Sequence, residues 1–192
     1  MDGEALAARA KIAGALWLET VGSTNDRAKD WVRSANGART PYFIGAERQT
    51  AGRGRGDHSW AAWDGALTFS LAARWNDFRL TRRESAELSL RVADAVASTA
   101  REFAPGAEVS VKPPNDVYAR GRKLAGILIE SPNSEFVVVG VGVNVGNRST
   151  DAPEELRSRV VSLAELADSE SFDVDAVRAE FAILAVRRML RN

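Results

Sequence analysis

The sequence predicts an α+β fold: a mixed, largely antiparallel sheet with helices packed on one side. Most periodic segments are short and apolar or alternating, as strands are. One long helical pattern lies in the middle of the chain, and shorter helical patterns lie near both ends. With 192 residues, of which 45% are hydrophobic, the chain can bury a sizeable core, and we expect a single domain over residues 1–192.

The first half of the chain is predicted to alternate helices and strands. Residues 5–15 are rich in alanine and predict a short helix or arm. Residues 22–26 supply helix-start residues, so a helix is expected over residues 27–34 with Trp31 on its apolar face. Three strands are predicted in this half, over residues 16–21, 42–47 and 65–74.

The second half begins with the longest helical pattern, residues 83–103, which Pro105 and Gly106 end. Strands are predicted over residues 108–112, 116–119 and 124–131, with a tight turn at residues 120–122. Residues 135–145 are apolar at nearly every position, which is typical of a strand covered on both faces. Ser162 and Glu165 form a capping box for a short helix, and Asp173 can cap a final helix that runs through Met189.

Composition excludes several classes of function. Lys and Arg number 26 and so do Asp and Glu, so no global field attracts nucleic acid or a membrane. Cysteine is absent, which excludes disulfides, zinc–thiolate sites and cysteine nucleophiles and is compatible with a reducing cytoplasm. His58 is the only histidine. No apolar run of ~18 residues and no signal-peptide pattern is present, so we expect no membrane association.

A glycine- and arginine-rich loop is the first candidate for chemistry. Gly52 and Gly54 allow close backbone approach to a ligand, while Arg53 and Arg55 offer forked donors to phosphate or carboxylate. Gln49 adds a neutral hydrogen-bonding group. The spacing is neither that of a P-loop nor that of a dinucleotide-binding fold. The alternative is a solvated loop whose arginines serve solubility.

The segment Pro113-Pro114 restricts the backbone ahead of Asn115 and Asp116, so both side chains are presented rigidly. An asparagine can bind a purine edge or a phosphate, and an aspartate can accept from an amide or help to hold a metal. The same residues also make an ordinary turn, and that alternative stays open.

Lys123 opens a strand whose other members are apolar, which places its ammonium at the rim of a hydrophobic layer. A lysine there can neutralise the charge that builds when a carboxylate attacks phosphorus. The alternative is a solvated lysine at a hairpin end. Gly126 in the same strand indicates close approach by a ligand.

Asn144 and Trp60 are further candidates. Asn144 lies in a run suited to burial, so its amide needs partners, either a phosphate or structural groups. Trp60 can form the wall of an apolar or purine pocket or belong to the core.

Five segments, in this order, resemble the motifs of the biotin–protein ligases. Residues 19–25 (ETVGSTN) are similar to the biotin-contacting segment of that family. Residues 47–55 (ERQTAGRGR), followed by Trp60, are similar to its adenylate-binding loop. Residues 112–116 (KPPND), 122–130 (RKLAGILIE) and 140–144 (GVGVN) match three further motifs. Each motif is weak alone, whereas five in sequence are specific.

The resemblance implies the fold of biotin ligase catalytic domains, similar to class II aminoacyl-tRNA synthetases. It also implies a two-step reaction, in which biotin and Mg-ATP give biotinyl-5′-adenylate and pyrophosphate. A lysine of the biotin carrier domain of a carboxylase then takes the biotinyl group.

The family's pattern also implies roles for residues. Lys123 and Arg55 are the catalytic candidates. Arg53 and Arg55 would hold the carboxylate and phosphate, and Mg²⁺ would be carried by ATP without certain protein ligands. The implied biotin-binding residues are Ser23, Thr24, Asn25, Gln49, Gly52, Arg53 and Gly126. The implied nucleotide-binding residues are Arg55, Trp60, Asn115, Asp116 and Asn144.

The chain departs from the family pattern at several places. Pro113 stands where a tryptophan is common, and Asp57 places an acid in the anion-binding loop. The sequence shows neither the DNA-binding helices nor the C-terminal barrel of many members, so we expect no DNA binding. A lipoate or octanoate transferase of the same fold and a non-catalytic binding module remain alternatives. A homodimer is left open, and a cytoplasmic location is expected.

Overall fold

Seven strands form one mixed sheet, in the order β1-β2-β3-β7-β6-β5-β4. The computed structural model describes residues 1–34, 39–167 and 172–191. The strands are β1 (Gly14–Val21), β2 (Tyr42–Gln49), β3 (Leu67–Arg74), β4 (Val109–Lys112), β5 (Asp116–Ala119), β6 (Arg122–Glu130) and β7 (Phe136–Val143). The α-helices are α1 (Gly3–Ala10), α2 (Thr24–Arg33), α3 (Ser85–Phe103), α4 (Leu163–Ala167) and α5 (Val174–Met189). Short 3₁₀ turns span Trp75–Phe78, Arg82–Glu84, Ser149–Asp151 and Glu154–Leu156.

The pairing confirms the predicted mixed, largely antiparallel sheet. Only β1 and β2 run parallel, and every other neighbouring pair is antiparallel. Parallel strands need a crossover connection, and α2 lies between β1 and β2 in the chain. The antiparallel pair β5–β6 needs only the tight turn at Arg120 and Gly121, whose φ values are 50° and 74°.

Helices α1, α3 and α5 pack on one face of the sheet, as predicted. The core there includes Phe69 and Leu71 from β3 and Val139 and Val141 from β7. Helix α2 is the exception, because it packs Ala28 and Val32 on the opposite face of the sheet. The prediction that helices lie on one side is therefore wrong for α2, which covers the alternate residues Ile44, Ala72 and Val138.

Strand β7 is buried at each residue from Phe136 to Val143, which confirms a strand covered on both faces. The capping predictions also hold: the backbone N–H of Ser162 donates to Glu165 (2.8 Å), and that of Ala176 donates to Asp173 (3.0 Å). The first helix is shorter than predicted. It ends at Ala10 because Lys11 adopts a left-handed conformation (φ 59°), and β1 has begun by Gly14.

Candidate active site

A cavity of about 600 Å³ opens where the N-terminus of α2, the loop after β2 and the middle of β6 and β7 meet. Its walls come from residues 23–25, Gln49, residues 53–60, residues 115–116, Lys123, residues 126–128 and residues 140–142. Every residue predicted for the site lines this cavity except Gly52 and Asn144. The cationic residues Lys123, Arg53 and Arg55 therefore come together from two distant segments.

Residues 52–60 fold into a small hairpin, here called the flap. The backbone N–H of Trp60 donates to Gly52 O (3.0 Å), and that of Gly54 donates to His58 O (2.7 Å). Gly52 is required within the flap itself, since a Cβ at this position would lie 2.5 Å from Trp60 O. Gly52 was predicted to lie close to a ligand, but in the structure it lies close to the other arm of the flap.

Trp60 lies on a floor of glycines. A Cβ on Gly126 would come 3.1 Å from its indole, and a Cβ on Gly142 would overlap the ring. The indole Nε1 is buried and has no hydrogen-bond partner in the described part of the chain. The close approach at Gly126 is therefore made by Trp60, whose ring packs on the glycines and lines the cavity.

Lys123 lies on the cavity wall and is paired with Asp116. Its Nζ is 2.7 Å from Asp116 Oδ1 and 5.9 Å from the centre of the Trp60 ring. The backbone N–H of Lys123 donates to Arg159 O (2.7 Å), which fixes the start of β6. An ammonium has three donor positions, so Lys123 can keep Asp116 and still contact an anionic ligand.

The two asparagines predicted to bind the nucleotide use their side chains in contacts within the protein. Asn115 Nδ2 donates to Ile127 O (2.9 Å), which ties the turn to β6 while the residue lines the cavity. Asn144 is buried behind the wall: its Nδ2 donates to Lys123 O (3.2 Å) and its Oδ1 accepts from Asn147 (2.9 Å). These contacts match the structural alternative considered for Asn144.

The N-terminus of α2 presents neutral polar groups to the cavity. Gln49 Oε1 accepts from the backbone N–H of Thr24 (2.7 Å) and from its hydroxyl (3.1 Å). Ser23 is the N-cap residue but makes no capping hydrogen bond with its side chain. Ser70, which sequence reasoning did not single out, donates to Asn25 Oδ1 (2.6 Å) from β3. This wall can bind a polar but uncharged group.

Four charged side chains form a neutral cluster beside these groups. Arg53 makes a forked salt bridge with Glu130 (3.1 and 2.7 Å) and a further contact with Asp26 (2.7 Å). Lys29 bridges the same two acids, at 2.8 Å from Asp26 and 3.1 Å from Glu130. Sequence reasoning assigned no role to Asp26, Lys29 or Glu130. Only the Asp26–Lys29 spacing on α2 offered a local signal, because Glu130 is distant in sequence.

Burial and hydrogen bonding compete at Glu130. Burial is the largest single influence and acts to raise its pKa. Hydrogen bonds from Asn25, Arg53 and Lys29, together with the charge of Lys29, outweigh burial and hold the pKa below its usual range. Glu130 is therefore a carboxylate at neutral pH and balances the cations around it.

Arg55 differs from Arg53 although both belong to the flap. It is exposed, lines the cavity and forms no salt bridge with any described acid. Asp57 and His58 line the same rim, so the acid noted in the sequence does lie at the cavity. Arg55 is thus available to an anion, whereas Arg53 already directs three of its five N–H donors at Glu130 and Asp26.

Within the described ranges, no group of three or more acidic or histidine side chains could hold a metal ion. The helices of the same ranges also lack the length and apolar character needed to span a membrane.

Comparison with known proteins gives consistent matches. A model of the biotin/lipoate A/B protein ligase family matches residues 17–144. The chain is 42% identical over 161 residues to a biotin–[acetyl-CoA-carboxylase] ligase of Mycobacterium tuberculosis, covering 80% of this chain and 58% of that protein. It is 32% identical over 163 residues to the bifunctional ligase/repressor BirA of Bacillus spizizenii, covering 82% of this chain and 48% of that protein.

A solved structure is also similar, that of the biotin protein ligase from Aquifex aeolicus in complex with biotin and ATP. It superposes with a TM-score of 0.74 at 30% identity, over 92% of this chain and 69% of that one. The chain spans about half the length of the curated relatives it matches. Residues 17–144, which the family model matches, include every residue that lines the cavity.

Proposed function

Because the chain belongs to the biotin/lipoate A/B protein ligase family, we propose that it ligates biotin to a lysine of a carrier domain, with ATP as the energy source. The observation that carries this proposal is the convergence of Lys123 and Arg55 on one cavity that is also lined by the neutral polar residues Ser23, Thr24, Asn25 and Gln49. The names of the similar Mycobacterium and Aquifex proteins support biotin and ATP as substrates.

The first step joins two anions, so it needs cations at the reacting centre. An oxygen of the biotin carboxylate attacks the α-phosphorus of ATP, and the bond from that phosphorus to the bridging oxygen breaks to release pyrophosphate. Lys123, held at the wall by Asp116 (2.7 Å), and Arg55, which has no salt bridge among the described residues, would stabilise the charge that develops there. Mg²⁺ would enter as part of the substrate, Mg-ATP.

The second step transfers the acyl group. The amine of a carrier lysine attacks the acyl carbon of the mixed anhydride, a proton leaves the nitrogen, and AMP departs. The flap would shield the anhydride from water while it waits for the carrier. The wall made by Ser23, Thr24, Asn25 and Gln49 suits the uncharged ureido ring, since that ring both donates and accepts hydrogen bonds.

The acceptor in this proposal is the biotin carrier domain of a carboxylase. The reaction is placed in the cytoplasm, with which the lack of cysteine is compatible. The proposal includes no role for DNA, and it is independent of whether the protein is a monomer or a homodimer.

The test incubates the protein with biotin, Mg-ATP and a biotin carrier domain, using the Lys123→Ala variant as the inactive control. Pyrophosphate release with labelling of the carrier is the expected result. Biotin binding without either product would instead indicate a binding module. Transfer of octanoate or lipoate in place of biotin would indicate the alternative acyltransferase.

A further inference from the structure

The two arginines of the flap have unequal surroundings, and this inequality separates their roles. Arg53 donates both terminal amino groups to Glu130 and one of them also to Asp26, whereas Arg55 forms no salt bridge within the described residues, although Asp57 lies on the same rim. Both arginines line the cavity. An arginine that already makes three of its five N–H bonds to carboxylates has its charge balanced and its fork occupied, so it is a weaker ligand for another anion than an arginine without a salt bridge.

We propose that Glu130 is a positioning residue, which holds the flap across the cavity through Arg53 and thereby keeps Arg55 over the cavity. This inference rests on the proposed function and deepens it. It reassigns Arg53, expected from sequence to hold the carboxylate or phosphate, to the support of the flap.

Glu130 is well placed to act as the fixed end of this contact. It ends β6, a strand paired with β7 in the middle of the sheet, and its side chain is 22% exposed. Asn25 Nδ2 donates to its Oε2 (2.8 Å), and Lys29 Nζ donates to its Oε1 (3.1 Å). Two groups on α2 therefore orient the carboxylate before Arg53 reaches it.

Asn25 is itself held in place. Its Oδ1 accepts from Ser70 (2.6 Å), and it lies so close to Gly140 that any Cβ there would overlap its amide. The chain of contacts thus runs from β3 and β7 through Asn25 and Glu130 to Arg53 at the start of the flap. Each contact involves groups on rigid elements, which favours a preformed position for the flap.

The other arm of the flap is fixed separately, since the ring of Trp60 packs on Gly126 and Gly142. With Arg53 fixed near one end and Trp60 at the other, the tip carries Arg55 over the cavity. Loss of the Arg53 contact should therefore loosen one arm of the flap while the remaining fold is kept.

The consequence for kinetics follows from when the flap must be ordered. If Glu130 orders the flap in the free protein, a variant without it must order the flap when substrate binds. The free-energy cost of this ordering is then the same for the bound substrate and for the transition state. Such a change raises KM and leaves kcat nearly unaltered. A residue that contacts the reacting atoms, such as Arg55, should instead lower kcat.

The first experiment measures the order of the flap without substrates. The full-length parent, Glu130→Gln and Asp26→Asn are treated with trypsin, and mass spectrometry quantifies cleavage after Arg53 and Arg55. We expect cleavage at these two bonds to rise by roughly tenfold in Glu130→Gln, as for the loss of charge-assisted hydrogen bonds, and by less in Asp26→Asn. The matched control is Glu135→Gln, which removes an acid that pairs with Arg74 away from the cavity.

Unchanged cleavage in both Glu130→Gln and Asp26→Asn would overturn the proposal. Asp26 is 55% exposed, so its variant keeps the test decisive if Glu130→Gln does not fold. This measurement needs no catalysis, so it tests the role of Glu130 separately from the proposed function. A parent protein that releases no pyrophosphate would count against the proposed function, whereas the cleavage pattern alone decides the role of Glu130.

The second experiment measures pyrophosphate release as a function of biotin concentration. For Glu130→Gln we expect KM to rise by roughly tenfold, with kcat within about threefold of the parent. A lower kcat at unchanged KM would show that Glu130 acts other than through the flap and would overturn the proposal.

Discussion

Nζ of Lys123 lies 2.7 Å from Oδ1 of Asp116, across the paired strands β5 and β6. The pair is partly exposed, with 32% and 23% of the two side chains accessible, and both residues line the cavity. Asp116 therefore fixes the position of a cation that faces the space where an acid would meet a nucleotide. This arrangement makes Lys123 the first residue to test.

Lys123→Ala should reduce the rate of pyrophosphate release by on the order of a hundredfold or more, because one electrostatic stabiliser of the transition state is lost. The measurement is biotin-dependent pyrophosphate release under saturating Mg-ATP. Lys112→Ala is the matched control, since Lys112 is exposed at the end of β4 with its ammonium near Tyr118 and does not line the cavity. Turnover equal to the parent in Lys123→Ala would contradict its assigned role.

Arg55→Gly should release the adenylate faster, by roughly tenfold or more, because a charge-assisted contact to the intermediate is removed. The escape of adenylate can be followed by chromatography of the filtrate after a single turnover. Arg120→Gly serves as the control, since Arg120 is exposed in the β5–β6 turn and glycine suits its positive φ. Equal retention in Arg55→Gly and the parent would argue against direct contact.

Gly142→Ala should displace the ring of Trp60 from its floor. The added Cβ would overlap the indole, and β7 is buried on both faces, so the ring must move. We expect a loss of about 1–3 kcal/mol in the free energy of unfolding, the usual cost of overpacking, and weaker biotin binding. Urea titration and calorimetric binding check both, with Gly106→Ala, which meets no neighbour, as the control.

Asn144→Ala should lower stability through the loss of its contacts with Lys123 O and Asn147. Asn144 is 2% exposed, so the groups left without partners are buried, and a cost of about 1–3 kcal/mol is expected. The measurement is the free energy of unfolding in urea. A variant with full stability but a raised KM for ATP would instead favour the nucleotide-binding role predicted from sequence.

Acidification should weaken the contribution of Glu130 to stability. The pKa of Glu130 in the folded protein lies below its pKa in the unfolded chain. The ionised carboxylate therefore stabilises the fold fully at pH values above the unfolded pKa. This stabilisation decreases as the pH falls through the folded pKa. Relative to Glu130→Gln, the parent should gain about 1–2 kcal/mol at neutral pH and lose this advantage as the pH falls through the lowered pKa of Glu130. A difference independent of pH would exclude ionisation as its source.

The sequence alone determined the position of nearly every strand and the segments that form the site. Periodicity placed β7 inside the sheet, and glycine spacing with five ordered motifs placed Lys123, Arg55, Ser23 and Gln49 at one site. The strand predictions succeeded because each depends on residues that are close together in the chain, whereas the common site of these four residues was implied by the resemblance of the five motifs to a known family.

Tertiary structure decided what each side chain does with its neighbours. The face on which α2 packs, the pairing of Arg53 with Glu130 and the burial of Asn144 behind Lys123 depend on the packing of the sheet and its helices. Arg53 and Arg55 lie two residues apart in the same loop, and only the position of Glu130 at the end of β6 makes one of them a support and leaves the other free. Contacts between groups that are distant in sequence leave no local pattern in the chain. The different roles of Arg53 and Arg55 could therefore be recognised only from the folded structure, in which Glu130 lies beside one of them.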